Sequence, residues 1–162
     1  RYKGELSLKA ALAQSVNTMS ARMIDMVGPK NVISLAKQAG ITNRIPAGPS
    51  IALGSVELTL HEMVSAYAMF ANKGLRVEPM MITHIEDKNG TLLSQFKPKT
   101  REVLSEESAY VILNLLEGVT LNGSGVRLRT SAPRPGYVTG YPYEFTNPIA
   151  GKTGTTQNHT DG

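Results

Sequence analysis

The sequence predicts an α+β fold in which helices dominate, with a β-hairpin at about residues 80–97 and a strand at about 148–156. Three observations carry this. Apolar residues recur at helical spacing in successive stretches between Ser7 and Gly118. The pattern turns to alternation on either side of Asp87-Lys88-Asn89-Gly90. A short apolar run, Asn147-Pro148-Ile149-Ala150, then leads into Gly151-Lys152-Thr153-Gly154-Thr155-Thr156.

Ser7 opens the first helix, because its hydroxyl can accept from the free N–H groups of the first turn. Ala10, Ala11 and Leu12 continue it, and Ser15-Val16-Asn17 ends it. Met19, Met23, Met26 and Val27 mark a second helix, stopped by Gly28-Pro29. This methionine stripe is expected in the core, where unbranched side chains fill irregular gaps. Val32, Leu35, Ala36 and Ala39 form a third stripe that ends at Gly40 in a left-handed cap. Residues 41–50 read as a loop. Thr59 and Glu62 form a capping box for a fourth helix. Its buried face is expected to be Leu60, Met63, Val64, Tyr67, Phe70 and Ala71, with Gly74 as its end.

The hairpin pairs Met81-Ile82-Thr83-His84-Ile85 with Thr91-Leu92-Leu93-Ser94-Gln95-Phe96, and Asn89-Gly90 is expected to supply the positive-φ positions. Ser105 caps a fifth helix with Glu106 and Glu107 in its first turn, favourable against the helix dipole. Its inner face is expected to be Ala109, Ile112, Leu113 and Leu116, closing at Gly118. No periodicity is visible from Thr120 to Pro148, and a run of that length inside a compact domain points to function.

A chain of 162 residues suffices for one domain with an ordinary core. With 41% hydrophobic and 19% charged residues, the composition is that of a globular protein rather than a disordered one. The absence of Cys excludes disulfides and thiolate metal sites. No apolar stretch reaches the length of a membrane-spanning helix. The net charge of +4 and the Arg127, Arg129, Arg134, Tyr137, Tyr141, Tyr143 group are read as solvated surface, so no nucleic-acid partner is expected. His84 and His159 lack second ligands at metal-site spacing; no metal or cofactor is expected.

Ser15-Val16-Asn17 fits S-x-N, and Lys152-Thr153-Gly154 fits K-T-G. In this order they match two of three motifs that mark β-lactamases and penicillin-binding proteins. Further stretches agree: Leu8 to Asn17, Pro49 to Gly54, Ala66 to Gly74, Gly123-Ser124-Gly125 and Ile149 to Thr156. The chain therefore resembles the transpeptidase domain of class A penicillin-binding proteins, and the resemblance covers nearly all of it.

The resemblance implies the penicillin-binding/β-lactamase-like fold and acyl transfer. A serine attacks the D-Ala-D-Ala end of a peptidoglycan stem peptide, the acyl group passes to a neighbouring amine, and β-lactam antibiotics trap the same serine. On this basis Ser15 would relay a proton to the leaving amine, Lys152 would polarise it, and Asn17 would hold the substrate amide. Thr153 and Thr155 would bind the terminal carboxylate, with Gly154 beside them as a further substrate-binding residue. The Thr155 amide would supply half of an oxyanion hole, a donor worth about 2.7–4 kcal/mol of barrier.

The nucleophile motif S-x-x-K is expected before Ser15, where nothing fits. Ser34-Leu35-Ala36-Lys37 and Ser94-Gln95-Phe96-Lys97 match the string but follow S-x-N, in the wrong order. Residues 1–162 are therefore expected to be part of a transpeptidase domain, with the nucleophile segment and later sheet strands elsewhere in a longer protein. Such a piece, inactive alone, is expected to self-associate or swap strands. The parent is expected at the extracytoplasmic face of the inner membrane. A non-catalytic domain of the same fold, binding cell-wall peptide, is the alternative.

Overall fold

The computed structural model describes residues 4–130 and 145–154. The chain divides into two compact units, residues 1–23 with 111–162, and residues 24–110.

The first unit starts with α1 (Leu8–Ala13), capped as expected by Ser7, whose hydroxyl accepts from the Ala10 amide. α1 ends in a Schellman turn. The Val16 amide donates to the Ala11 carbonyl at 3.0 Å and the Ser15 amide to Leu12 at 3.1 Å. This puts Ser15, at φ 54, in the left-handed position usually given to glycine. The conformation costs a non-glycine residue about 1–2 kcal/mol. Val16 then starts α2 (Asn17–Val27) by accepting from the Met19 amide.

The methionine stripe of α2 is not core. Ile24 is its buried residue, while Met26 is 72% exposed. Spacing identifies the helix but not which way it faces.

The other wall of this unit is the later part of α5 (Glu106–Asn122). The helix runs a full turn beyond Gly118, its expected end. Gly118 is instead a packing position: a Cβ there would sit 3.5 Å from Lys9 Cε and 3.9 Å from Ala13 Cβ. These are ordinary contact distances, so a methyl group would fit there, and Lys9 donates to Asn114 Oδ1 at 2.8 Å across the contact. Leu116, Val119 and Thr120 of α5 are buried, as are Ala11 and Ala13 of α1. A 3₁₀ turn, Val126–Arg129, follows.

Residues 147–154 form no strand among the described residues, contrary to expectation. A ladder needs a neighbouring strand, and here the segment hangs from α5 instead. The Gly151 amide donates to Leu116, and Thr120 Oγ1 donates to the Ile149 carbonyl at 2.7 Å.

The second unit contains α3 (Pro29–Gln38), with Gly28 at φ 83 before it and Pro29 at its first position. Gly40 closes α3 in a Schellman turn, its amide donating to Lys37 and that of Ile41 to Ala36. A 3₁₀ turn, Pro49–Leu53, takes up part of the expected loop. α4 (Leu60–Ala71) has the predicted Thr59–Glu62 capping box. Its orientation is not the predicted one: the buried residues are Glu62, Ser65, Ala66 and Met69, and Leu60 is 80% exposed. The Glu62 carboxylate turns the helix, because it is pulled inward by the loop it bonds. Met69, 1% exposed, joins Ala39, Ile41 and Ala66 in a core ringed by Ala36, Ile45, Leu58, Phe70, Val103 and Leu104.

β1 (Leu75–Val77) pairs antiparallel with β4 (Thr100–Glu102), a sheet the sequence does not announce. β2 (His84–Glu86) pairs with β3 (Leu92–Gln95) in the expected hairpin, shorter than predicted. Gly90 takes positive φ, but Asn89 does not. Asp87 holds the turn instead, accepting on Oδ1 from the Asn89 and Thr91 amides. No helix among the described residues is long and apolar enough to cross a membrane.

Candidate functional site

The first unit brings Ser15 and Lys152 together. The Schellman turn projects Ser15 from the α1–α2 corner, and the bonds to α5 hold the segment carrying Lys152. Lys152 Nζ donates to Ser15 Oγ at 2.8 Å and to the Thr153 carbonyl at 2.9 Å. Two motifs 137 residues apart thus meet at hydrogen-bond distance. Accepting from Lys152 leaves the Ser15 hydroxyl proton free to be donated elsewhere.

An ammonium has three donors, and these bonds use two. No carboxylate lies within ion-pair distance of Lys152 among the described residues. Partial burial lowers its pKa from the usual 10.5, since leaving water disfavours the cation. Among the described residues the site is therefore a partly desolvated positive charge with a free donor, suited to an anionic group.

Thr153 is exposed beside it, and its hydroxyl bonds that of Ser124. Gly154 is exposed, and no described residue comes within 4 Å of a Cβ built there, so backbone is open to a ligand. Asn17, the first residue of α2, is exposed two positions from Ser15 and makes no side-chain bond among the described residues. Thr155 and His159 lie outside the described residues, as do Arg134, Tyr137, Tyr141 and Tyr143.

Ser124 is the residue that sequence reasoning does not place in the site. Gly123-Ser124-Gly125 reads as a family-like stretch, and its composition says only that the chain turns sharply. In the fold it links two parts of the site, since the Ser124 amide donates to the Ala13 carbonyl at 2.9 Å and its hydroxyl meets Thr153. A Cβ on Gly123 would fall 2.2 Å from the Ala13 carbonyl oxygen, so only glycine permits this approach. Arg129, grouped with the surface arginines, is bound internally to Thr120 Oγ1 and the Phe145 carbonyl.

Neither S-x-x-K string forms a serine–lysine contact. Ser34 accepts from Gln38 Nε2, and Ser94 lies in β3 opposite Ile85. His84 meets Thr83 Oγ1 and Glu86 on the exposed hairpin. No group of three metal-ligating side chains occurs among the described residues. A groove of about 440 Å³ in the second unit, between residues 78–82 and 96–99, is mainly apolar and holds none of the motif residues.

The family described as the penicillin binding protein transpeptidase domain matches residues 1–162. Penicillin-binding protein 1A of Aquifex aeolicus is 34% identical over 158 residues, covering 98% of this chain and 20% of that protein. Penicillin-binding protein 2D of Bacillus subtilis is 36% identical over 155 residues, covering 93% and 21%. The crystal structure of penicillin-binding protein 1A from Haemophilus influenzae superposes with a TM-score of 0.81 at 26% identity, over 97% of this chain and 27% of that one. Penicillin binding protein 3 from Mycobacterium tuberculosis, complexed with aztreonam, shares the fold at a TM-score of 0.68 and 20% identity, over 76% and 34%. The chain spans about a fifth of the length of the curated relatives it matches. Since the family match runs along all of its residues, the chain belongs to the penicillin-binding protein transpeptidase family.

Proposed function

We propose that these residues form the half-site of a peptidoglycan D,D-transpeptidase that cross-links stem peptides through a serine acyl-enzyme. The observation that carries this is the 2.8 Å bond from Lys152 Nζ to Ser15 Oγ. A serine so placed is a proton relay. Its oxygen is held by a cation, so its own proton is easier to give to a leaving amine. Lys152 and Thr153 receive the terminal carboxylate of the D-Ala-D-Ala end, Gly154 leaves room for its backbone, and Asn17 holds the preceding amide. Thr155 supplies a further hydroxyl and an oxyanion-hole amide.

The acylated serine belongs to an S-x-x-K segment outside residues 1–162, so the isolated chain is inactive. β-Lactams, whose anionic group and strained amide imitate the same peptide end, are ligands of the complete site; aztreonam and ampicillin bound to the Mycobacterium tuberculosis relative support this. The parent works at the extracytoplasmic face of the inner membrane, held by a segment beyond this chain. Exposed Leu60, Val64 and Met81 support self-association or strand swapping of the isolated piece. A clean monomer in sedimentation at high concentration would count against that.

The test of function is covalent labelling of the full-length protein by a fluorescent penicillin. A labelled band, competed by unlabelled drug and lost in Lys152→Ala, is the expected result. A folded full-length protein that takes up no label would overturn the enzymatic reading and leave a non-catalytic peptide-binding domain.

A further inference from the structure

Resting on the carboxylate-binding role of Thr153 above, we propose that Ser124 is a positioning residue that sets the direction of the Thr153 hydroxyl proton. A hydroxyl has one proton and two lone pairs. If Thr153 donates to Ser124, it turns only lone pairs toward the site and repels a carboxylate. If Ser124 donates to Thr153, the Thr153 proton is left for the incoming anion. Either direction satisfies the Ser124–Thr153 bond in the empty site. An arriving carboxylate can accept only, so it selects the second and completes a chain from Ser124 through Thr153 to the anion. Each donor in such a chain polarises the next.

The scaffold holds Ser124 in place for this role. Its amide is fixed to the Ala13 carbonyl at 2.9 Å, two residues before Ser15, and Gly123 has no room for a side chain against that same carbonyl. The Gly125 amide donates to Val119 at 2.9 Å, so Ser124 is clamped on both sides. Its hydroxyl has Thr153 as its sole partner among the described residues. Thus α1, with Ser15 at its end, and the Lys152–Thr153 segment are tied by one serine that is not in either motif.

The experiment uses the full-length protein and measures acylation by penicillin and by its methyl ester, which lacks the anionic carboxylate. Ser124→Ala is expected to slow acylation by the free acid about fivefold, the effect of losing one neutral hydrogen bond that orients the Thr153 hydroxyl. The ester should be affected little, and Ser124→Thr should recover most of the rate. In a Thr153→Ala background, Ser124→Ala should add nothing. Thermal unfolding of each variant separates a lost bond from a lost fold. Equal losses for acid and ester, additive losses with Thr153→Ala, or a Ser124→Ala rate equal to wild type would overturn the proposal. Wild-type protein that is not acylated at all would instead overturn the transpeptidase reading beneath it.

Discussion

Glu62 and Lys152 each hold a charge by hydrogen bonds, one in each unit, and the two are finished differently. Glu62 is 5% exposed, and its oxygens accept from the Thr42 amide and hydroxyl, the Asn43 amide, and the Thr59 amide and hydroxyl. These bonds, with the Asn43 amide the largest contributor, lower its pKa from 4.5 to about 2. The acceptor capacity is used up, so the cluster fastens the 41–43 loop to the start of α4 and nothing more. Among the described residues, Lys152 keeps one donor unspent and has no carboxylate beside it. A closed network is architecture, and an open one awaits a ligand.

The sharpest way to break this contrast is Lys152→Ala. Penicillin acylation of the full-length protein should fall about 100- to 1000-fold, while the unfolding temperature moves by no more than about 2 °C. Glu62→Ala should do the reverse, lowering the unfolding temperature by on the order of 10 °C while each folded molecule is labelled at the wild-type rate. Retained stability would mean that water replaces the carboxylate and that the network is not closed.

Acid titration gives a smaller signal. The folded pKa of Glu62 lies below the unfolded one, so its stabilisation is complete above about 4.5 and is lost as pH falls toward about 2. Glu62→Gln should flatten that part of the stability curve. On the alkaline side, the depressed pKa of Lys152 should bring the fall in acylation below the usual 10.5. An alkaline limb at or above that value would contradict its desolvation.

The smallest effect tests Ser15. Ser15→Gly and Ser15→Ala should lose acylation alike, because both lack the hydroxyl. Ser15→Gly should nevertheless unfold a few degrees higher than Ser15→Ala, about 1 kcal/mol apart, since only glycine accepts φ 54 without strain. Equal unfolding temperatures would show that the left-handed turn costs this position nothing.

Features legible in the sequence are those decided within a few residues. Ser7, the Thr59–Glu62 box and Gly40 are local bonds, and the sequence states them directly, as it does the place of the hairpin, though not that Asp87 holds its turn. What it hides needs distant partners. Counting apolar residues turns α4 the wrong way, because the buried Glu62 outweighs them through donors near residue 42. β1 and β4 are three residues each, and Thr100-Arg101-Glu102 has no apolar member to announce a strand. Gly118 reads as a stop, yet α5 continues to Asn122, because the contacts that carry its last turn lie with partners far off in sequence, Ala13 and Ile149 among them. In the site, Ser15 and Lys152 are legible through their motifs, whereas Ser124 is hidden because its partner lies 29 residues away.

The way Lys152 is suspended has a dynamic consequence. Its segment has no strand ladder among the described residues, and its anchorage is the Leu116 carbonyl and Thr120 hydroxyl of α5, Ser124 just past the end of α5 on Thr153, and Arg129 gripping Phe145. Its order is therefore borrowed. If the last turns of α5 unwind, the anchors leave together, and Lys152 departs from Ser15 without any bond between those two having weakened. Slow opening of a helix end, seen as matched hydrogen-exchange rates for the Gly151 amide and those of residues 119–122, would then meter how often the site exists at all.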